Sequence, residues 1–350
     1  MMYFSKELVA NAEGHVQRAT NAQWNEVVAR RRYFNEVEKQ HAAMTGNAAA
    51  VIPQDVYREF DNVTKRIMRS DEGDVLLNDL MPLARAINIG KIEYQFRRSS
   101  DSGNAQTSLS GQTPILMDKA QYSYDKAIIP VHQDGFGRQW RELEGQRSEG
   151  FDGLIDDQEN SVRAVRRQMV DYVLDGDANI VFNGTTWTGL RNDSRVASVD
   201  LGASGLNIDL TSSAADADDI RNAFRSMRDT LRISNNAMGG VTFYVSREIM
   251  TNLERYYADT DAGFGTLLKA LLQLNGIAAI KETAKLSGNE VIGMVLSNEF
   301  IRPLVGMGVN TTAIPRVNPF DAHNFITWGA MGIQVITDYD GRTGVLYASA

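Results

Sequence analysis

The chain has 350 residues, 43% of them hydrophobic and 23% charged, with a formal net charge of −8. That balance is ordinary for a globular protein with enough chain for two or three packed units, and without a basic tail or domain it does not signal nucleic-acid binding by general electrostatics. The absence of cysteine excludes disulfides, zinc ribbons, iron–sulfur clusters and thiol nucleophiles together.

Residues 1–50 read as polar and helical, with an irregular apolar stripe of Trp24, Val27, Val28, Phe34 and Val37. The stripe is too thin to bury a core of its own, so this segment reads as an arm that packs on something else. Arg30, Arg31 and Arg32 are neutralised by nearby carboxylates and read as a solvated face. The opening residues lack the basic and apolar regions of a signal peptide, so a soluble, non-secreted protein is expected. A linker follows at 45–53, and Pro53 opens a further helical stretch.

After "DVLLNDLMPLARAINIG" (74–90) comes a first strand, "KIEYQF", then a run of Ser, Gly, Gln, Thr and Asn, then a return through "AQYSYDKAIIPV". Tyr122, Tyr124 and Ile128 alternate with polar residues on the way back. Strand, long polar tip, strand is the pattern of an extended β-hairpin. At about 3.3 Å per residue its arms reach up to roughly 60 Å, farther than the radius of the body. A tip with so little apolar surface has nothing of its own to order it, so it is expected to land on another subunit.

The clearest helix spans 151–176, with Phe151, Leu154, Ile155, Val162, Val165, Met169, Tyr172 and Val173 at helical spacing. Acidic residues sit in its first turns, where the helix dipole favours them. Gly-rich turns follow in "ANIVFNGTTWTGLRND" (178–193). From about residue 213 helices and strands alternate as in a small α/β unit. The chain closes on two or three strands, with a tight turn at Asp340-Gly341. The most apolar segment, 291–309, carries Glu299 and Arg302, which excludes a membrane span there.

No motif points to chemistry, and no catalytic, cofactor-binding or metal site is assigned. His15, His41, His132 and His323 stand apart from any metal-ligand spacing. "DGDANI" (175–180) opens like a calcium loop, but Ile180 replaces the required Gly and Thr186 the required Glu. "GASGL" lacks the spacing of a nucleophile elbow, and "GFG" and "GMG" are not completed to a dinucleotide-binding loop.

This order of parts resembles the major capsid proteins of tailed bacteriophages, an α+β architecture of the Hong Kong ninety-seven type. The resemblance lies in the hairpin, the long helix, the passage "DGDANIVFNGTTWTGLRND" and the closing "FITWGAMGIQV". It implies an N-terminal arm (1–74), an extended E-loop (90–136), a peripheral P domain (137–214 and 320–350) with its spine helix at 151–176, and an axial A domain (215–319). It further implies hexamers and pentamers of one chain in an icosahedral shell, assembled in the host cytoplasm, enclosing double-stranded DNA without reading its sequence. A portal protein and separate scaffolding or cement proteins would be partners. An encapsulin-type compartment shell is the alternative reading, and a soluble enzyme with the hairpin as lid is a third.

Candidate subunit contacts are Arg97 and Arg98 with Tyr122 and Tyr124 on the hairpin, and Asp156, Asp157 and Glu159 at the start of the long helix of a neighbour. The other reading of the two arginines is that they keep an exposed edge strand soluble. Some relatives lock their shells through an isopeptide bond from an E-loop lysine. Here Lys119 follows Asp118 and Lys126 follows Asp125, and an adjacent carboxylate favours the unreactive ammonium. A shell held without covalent bonds is expected.

Overall fold

The computed structural model describes residues 23–37, 39, 73–103, 105–110, 112, 117–148, 153–259 and 263–350. The expected linker at 45–53, the helix that Pro53 opens and the first two residues of the expected long helix lie outside these. Two compact units divide the chain, 1–68 and 69–350. In the first, residues 23–37 form a helix, tied on its surface by Arg30 Nη2 to Glu26 Oε1 at 2.7 Å. Tyr33 and Phe34 are exposed on it.

The second unit opens with a short helix, Asp74–Leu80, that buries Leu76, Leu77 and Leu80. Its N-cap, Gly73, has φ 88°, and a Cβ there would sit 2.4 Å from Val170 of the long helix. The hairpin pairs Glu93–Ser99 with Tyr122–Ile128, from Glu93 opposite Ile128 to Ser99 opposite Tyr122. Pro130 then interrupts the strand, and Val131–Arg138 joins a different sheet.

That sheet has four strands in the order Arg85–Ala86, Ile301–Ala313, His323–Val335, Val131–Arg138. The long helix, Gly153–Asp175, lies against it and buries Val165, Met169, Tyr172 and Val173 among Met331, Ile333 and Val335. At 1.5 Å per residue the helix is about 35 Å long. The expected apolar face holds over its C-terminal two-thirds and fails at its start, where Ile155 is 58% exposed. There the inward position belongs to Asp157, which pairs with Arg138.

The helix stops at Gly176, φ 68°, and the chain doubles back through a small hairpin, Asp177–Phe182 with Thr185–Trp187. Its return satisfies the helix's last carbonyls: Trp187 Nε1 donates to Tyr172 O, Leu190 N to Val173 O and Arg191 N to Leu174 O. Two backbones can pass this closely because Gly176 and Gly189 carry no side chain. A Cβ on Gly189 would lie 2.3 Å from Leu174 O.

A five-stranded sheet runs Ile277–Glu282, Val241–Val245, Val291–Val295, Val345–Ser349, Ala197–Asp200. "VTFYV" and "VIGMV" are buried at every position, because both faces are covered. Tyr244, Ile292, Met294 and Val345 face the core shared with the long helix. Val241, Phe243, Val245 and Leu346 face a second core under helices Ala217–Asp229, Arg247–Leu253 and Leu267–Leu272.

The two sheets cut across the expected domain boundaries. Residues 301–313, grouped by sequence with 215–319, form a 13-residue strand of the four-stranded sheet against 323–335. The strands at 197–200 and 345–349, grouped with the long helix, close the five-stranded sheet. Pro303, Gly306 and Gly308 hid the first strand. The final strand crosses between sheets after Val335, a change that no local pattern records.

Candidate subunit-contact surface

The hairpin's period of two places its residues on opposite faces. Arg98, Asp125 and Ala127 belong to one face; Arg97, Tyr122, Tyr124 and Lys126 belong to the other. Arg97 and Arg98 are therefore adjacent in sequence and opposed in space.

The first face is bonded to the hairpin's own chain. Arg98 Nη1 donates to Thr337 Oγ1 at 2.7 Å. Arg195 Nη1 reaches both carboxylate oxygens of Asp125 at 3.4 Å and Lys126 O at 3.3 Å. Arg195 is itself held by Asp193 through its Nε and Nη2, each at 2.8 Å, and its guanidinium lies 5.3 Å from the Trp187 ring centroid. Farther out, Tyr339 OH donates to Gln121 Oε1 at 3.0 Å. Between these groups lies a polar cleft of about 700 Å³. Nothing in the sequence flagged Arg195 or Thr337, and Asp125 was noted only as the neighbour of Lys126. Arg195 lies two residues beyond the Gly-rich passage whose glycines drew the reading instead.

The second face is open. Tyr122 and Tyr124 are 57% and 65% exposed, and Arg97 lies 4.8 Å over the Tyr122 ring. At the hairpin's base the face is pinned by Lys126 Nζ to Glu93 Oε1 at 2.9 Å, with Asn183 Nδ2 donating to Glu93 Oε2 at 3.2 Å. The Lys126 ammonium holds the Glu93 carboxyl below its ordinary range. Beyond the last rung, Leu109 and Met117 stand almost wholly in water.

At the start of the long helix lies the expected acidic cluster. Asp157 accepts two bonds from Arg138, at 2.5 and 3.1 Å from Nε and Nη2, and Arg138 also donates to Glu142 at 3.0 Å. Asp157 is thus committed within its own chain. Asp156 is half-buried, Glu159 is exposed and Ile155 is exposed beside them. Among the described residues no group of three or more His, Asp or Glu is placed to hold a metal ion, and no helix is long and apolar enough to cross a membrane.

A model of a family of unknown function, DUF6260, matches residues 46–348. No curated protein matches the chain. Several solved structures share its fold. "The capsid of Myoviridae Phage XM1" aligns with a TM-score of 0.65 at 11% identity, covering 86% of this chain and 99% of that one. "Capsid of native GTA particle computed with C5 symmetry" gives 0.57 at 12%, covering 88% and 99%. A chain from Mycobacterium phage Bobi gives 0.56 at 9%, covering 86% and 97%. The fold is the α+β, Hong Kong ninety-seven-type capsid fold, as the order of elements in the sequence implied.

Proposed function

The chain belongs to the DUF6260 family, and we propose that it is a major capsid protein: a subunit that assembles with copies of itself into the icosahedral shell of a tailed bacteriophage. One observation carries this reading beyond the fold. The hairpin is bonded to its own chain on one face, while its other face and tip offer Tyr122, Tyr124, Leu109 and Met117 to solvent. A lone chain gains nothing from that exposure; a neighbour would bury it. In this reading the hairpin is the E-loop, the four-stranded sheet with the long helix is the P domain, and the five-stranded sheet with its helices is the A domain. Many weak contacts per subunit close the shell by avidity. The net charge of −8 suits a wall that contains DNA without holding it tightly.

The open hairpin face also narrows the proposed charge contact. Arg97, with its tyrosines, meets the acidic start of a neighbour's long helix, where Asp156, Asp157 and Glu159 cluster; Arg98 serves its own chain. Arg97→Glu should impair assembly, and Asp156→Lys with Glu159→Lys should partly restore it.

Electron microscopy of the expressed chain tests the main reading. Closed shells are expected from the full chain, whereas replacing 101–119 by a short turn should leave folded, soluble subunits or capsomers. Normal shells from the shortened chain would overturn the role of the hairpin. Absence of any shell from the full chain with its phage partners would overturn the function.

A further inference from the structure

We propose that the long helix and the irregular middle of strand Ile301–Ala313 enclose a binding site for a single-chain fatty acid. The site is separate from the hairpin and does not depend on the shell reading. Its centre is "GMG" (306–308), the run that completes no dinucleotide-binding loop. Here the pairing of Ile301–Ala313 with His323–Val335 slips register twice, between Val305 and Met307 and between Met307 and Asn310. Such irregularities bend a strand and re-aim its side chains. A cavity of about 280 Å³ lies between this stretch and the helix.

The lining suits an alkyl chain. Met169 and Met331 are buried in it, Val162, Met307 and Val309 are half-buried, and Met81 is 41% exposed at its edge. Methionine is unbranched and polarizable, so it adapts to a flexible apolar guest. Gly308 lines the same cavity, and a Cβ there would meet no atom within 4 Å; its missing side chain keeps the opening clear. An apolar cavity of about 150 Å³ holds one benzene, so this one takes a chain of about ten carbons. The head group follows from the charge at the edge. Among the described residues, Arg166 is the charged member of the lining; it is half-buried, and its Nη2 donates to Asn78 Oδ1 at 3.1 Å. Between Glu159 and Asp171 the helix carries Arg163, Arg166 and Arg167 and no carboxylate. A guanidinium fork matches a carboxylate in geometry and charge, so an apolar tail with a carboxylate head complements the site at both ends.

Calorimetric titration of the full-length, unassembled chain with decanoate tests this. One saturable site per chain is expected. Octanoate should bind about fifteenfold more weakly, at about fourfold per methylene, and tetradecanoate no more tightly than decanoate, because the cavity is then full. Absence of a saturable site would overturn the proposal; so would affinity that keeps rising with chain length, which marks surface adsorption. Gly308→Leu should weaken decanoate about tenfold or more by filling the opening. Arg166→Gln should weaken decanoate about tenfold and leave decanol unchanged. Unchanged decanoate binding in either variant counts against the site. A readout that needs no variant is decanoate with a diazirine at its chain end, which should label Ile301–Ala313 or residues 162–169; label confined elsewhere would refute the assignment. Binding to the unassembled chain but not to shells would overturn it in favour of a second copy as the occupant. The calorimetry stands whether or not the chain forms shells, so its failure and that of the shell reading are distinct.

Discussion

Arg195 is the residue whose loss should free the hairpin from the body. Its guanidinium is paired with Asp193 at 2.8 Å, with side-chain exposures of 17% and 7%. Breaking so buried a pair from one side costs about 3–5 kcal/mol, because the remaining charge is left without its partner. Asp193 keeps the Arg195 backbone N–H at 2.9 Å and Thr188 Oγ1 at 3.5 Å. Arg195→Met should therefore fall near the lower end, about 3 kcal/mol, in urea unfolding of dissociated subunits. The longer contact to Asp125, at 3.4 Å, contributes about 1 kcal/mol or less. Asp125→Asn should thus barely move global stability. Both variants should speed hydrogen exchange along Tyr122–Ile128, where Arg195 touches the strand. Adding Asp193→Asn to Arg195→Met should recover part of the loss by removing the stranded charge. A cost under about 1 kcal/mol for Arg195→Met, or unchanged exchange in the hairpin, would refute the clamp.

Burial holds the His132 imidazole below its ordinary pKa, partly opposed by its bond to Met331 O at 3.3 Å. The folded state then binds fewer protons than the unfolded one below about pH 6.5, so the histidine's contribution is complete above that pH and is lost as pH falls towards its folded pKa. Unfolding free energy measured from pH 7.5 down should decline with a slope that His132→Gln reduces; an unchanged slope would show that His132 is not its source. Gly189→Ala should cost at least about 2 kcal/mol, since it adds a Cβ 2.3 Å from Leu174 O at φ 83°; urea titration would detect less. Lys126 Nζ is engaged by Glu93 of its own chain at 2.9 Å, so it is not presented to a neighbour. Boiled particles should accordingly run as one band near 38.8 kDa, and a ladder of larger species would contradict a shell held without covalent bonds.

The fold was legible where local pattern and tertiary role agree. The long helix declares itself through Val165, Met169 and Val173, and its end through Gly176 and Gly189, because helical periodicity and tight turns are local chemistry. The strand Ile301–Ala313 was hidden because Pro303 and two glycines look like breakers. Pro303 is tolerated opposite Ile333 because the neighbouring parallel strand, Arg85–Ala86, is only two residues long and pairs at Leu304 and Val305. The exchange of the last strand into the five-stranded sheet was illegible in principle. "VLYAS" is equally good strand in either sheet, and only the burial of Val345 in one core and of Leu346 in the other places it between them.

The arrangement of the candidate contact residues was not legible in the sequence for the same reason. Sequence marks Arg97 and Arg98 as a pair, but a strand separates neighbours, and the separation assigns the work. Arg98 joins Thr337, and Asp125 on the same face joins Arg195, so this face sets the angle at which the hairpin leaves the body. Arg97, Tyr122 and Tyr124 make no such bond to the body among those described here, and an aromatic surface with a cation over it suits adhesion to another copy. In the proposed shell, one face would set the angle between subunits and the other would supply adhesion. Carrying them on opposite faces of one two-stranded ribbon lets either change without the other. The short alternation of Arg97 and Arg98 is the sequence form of that division.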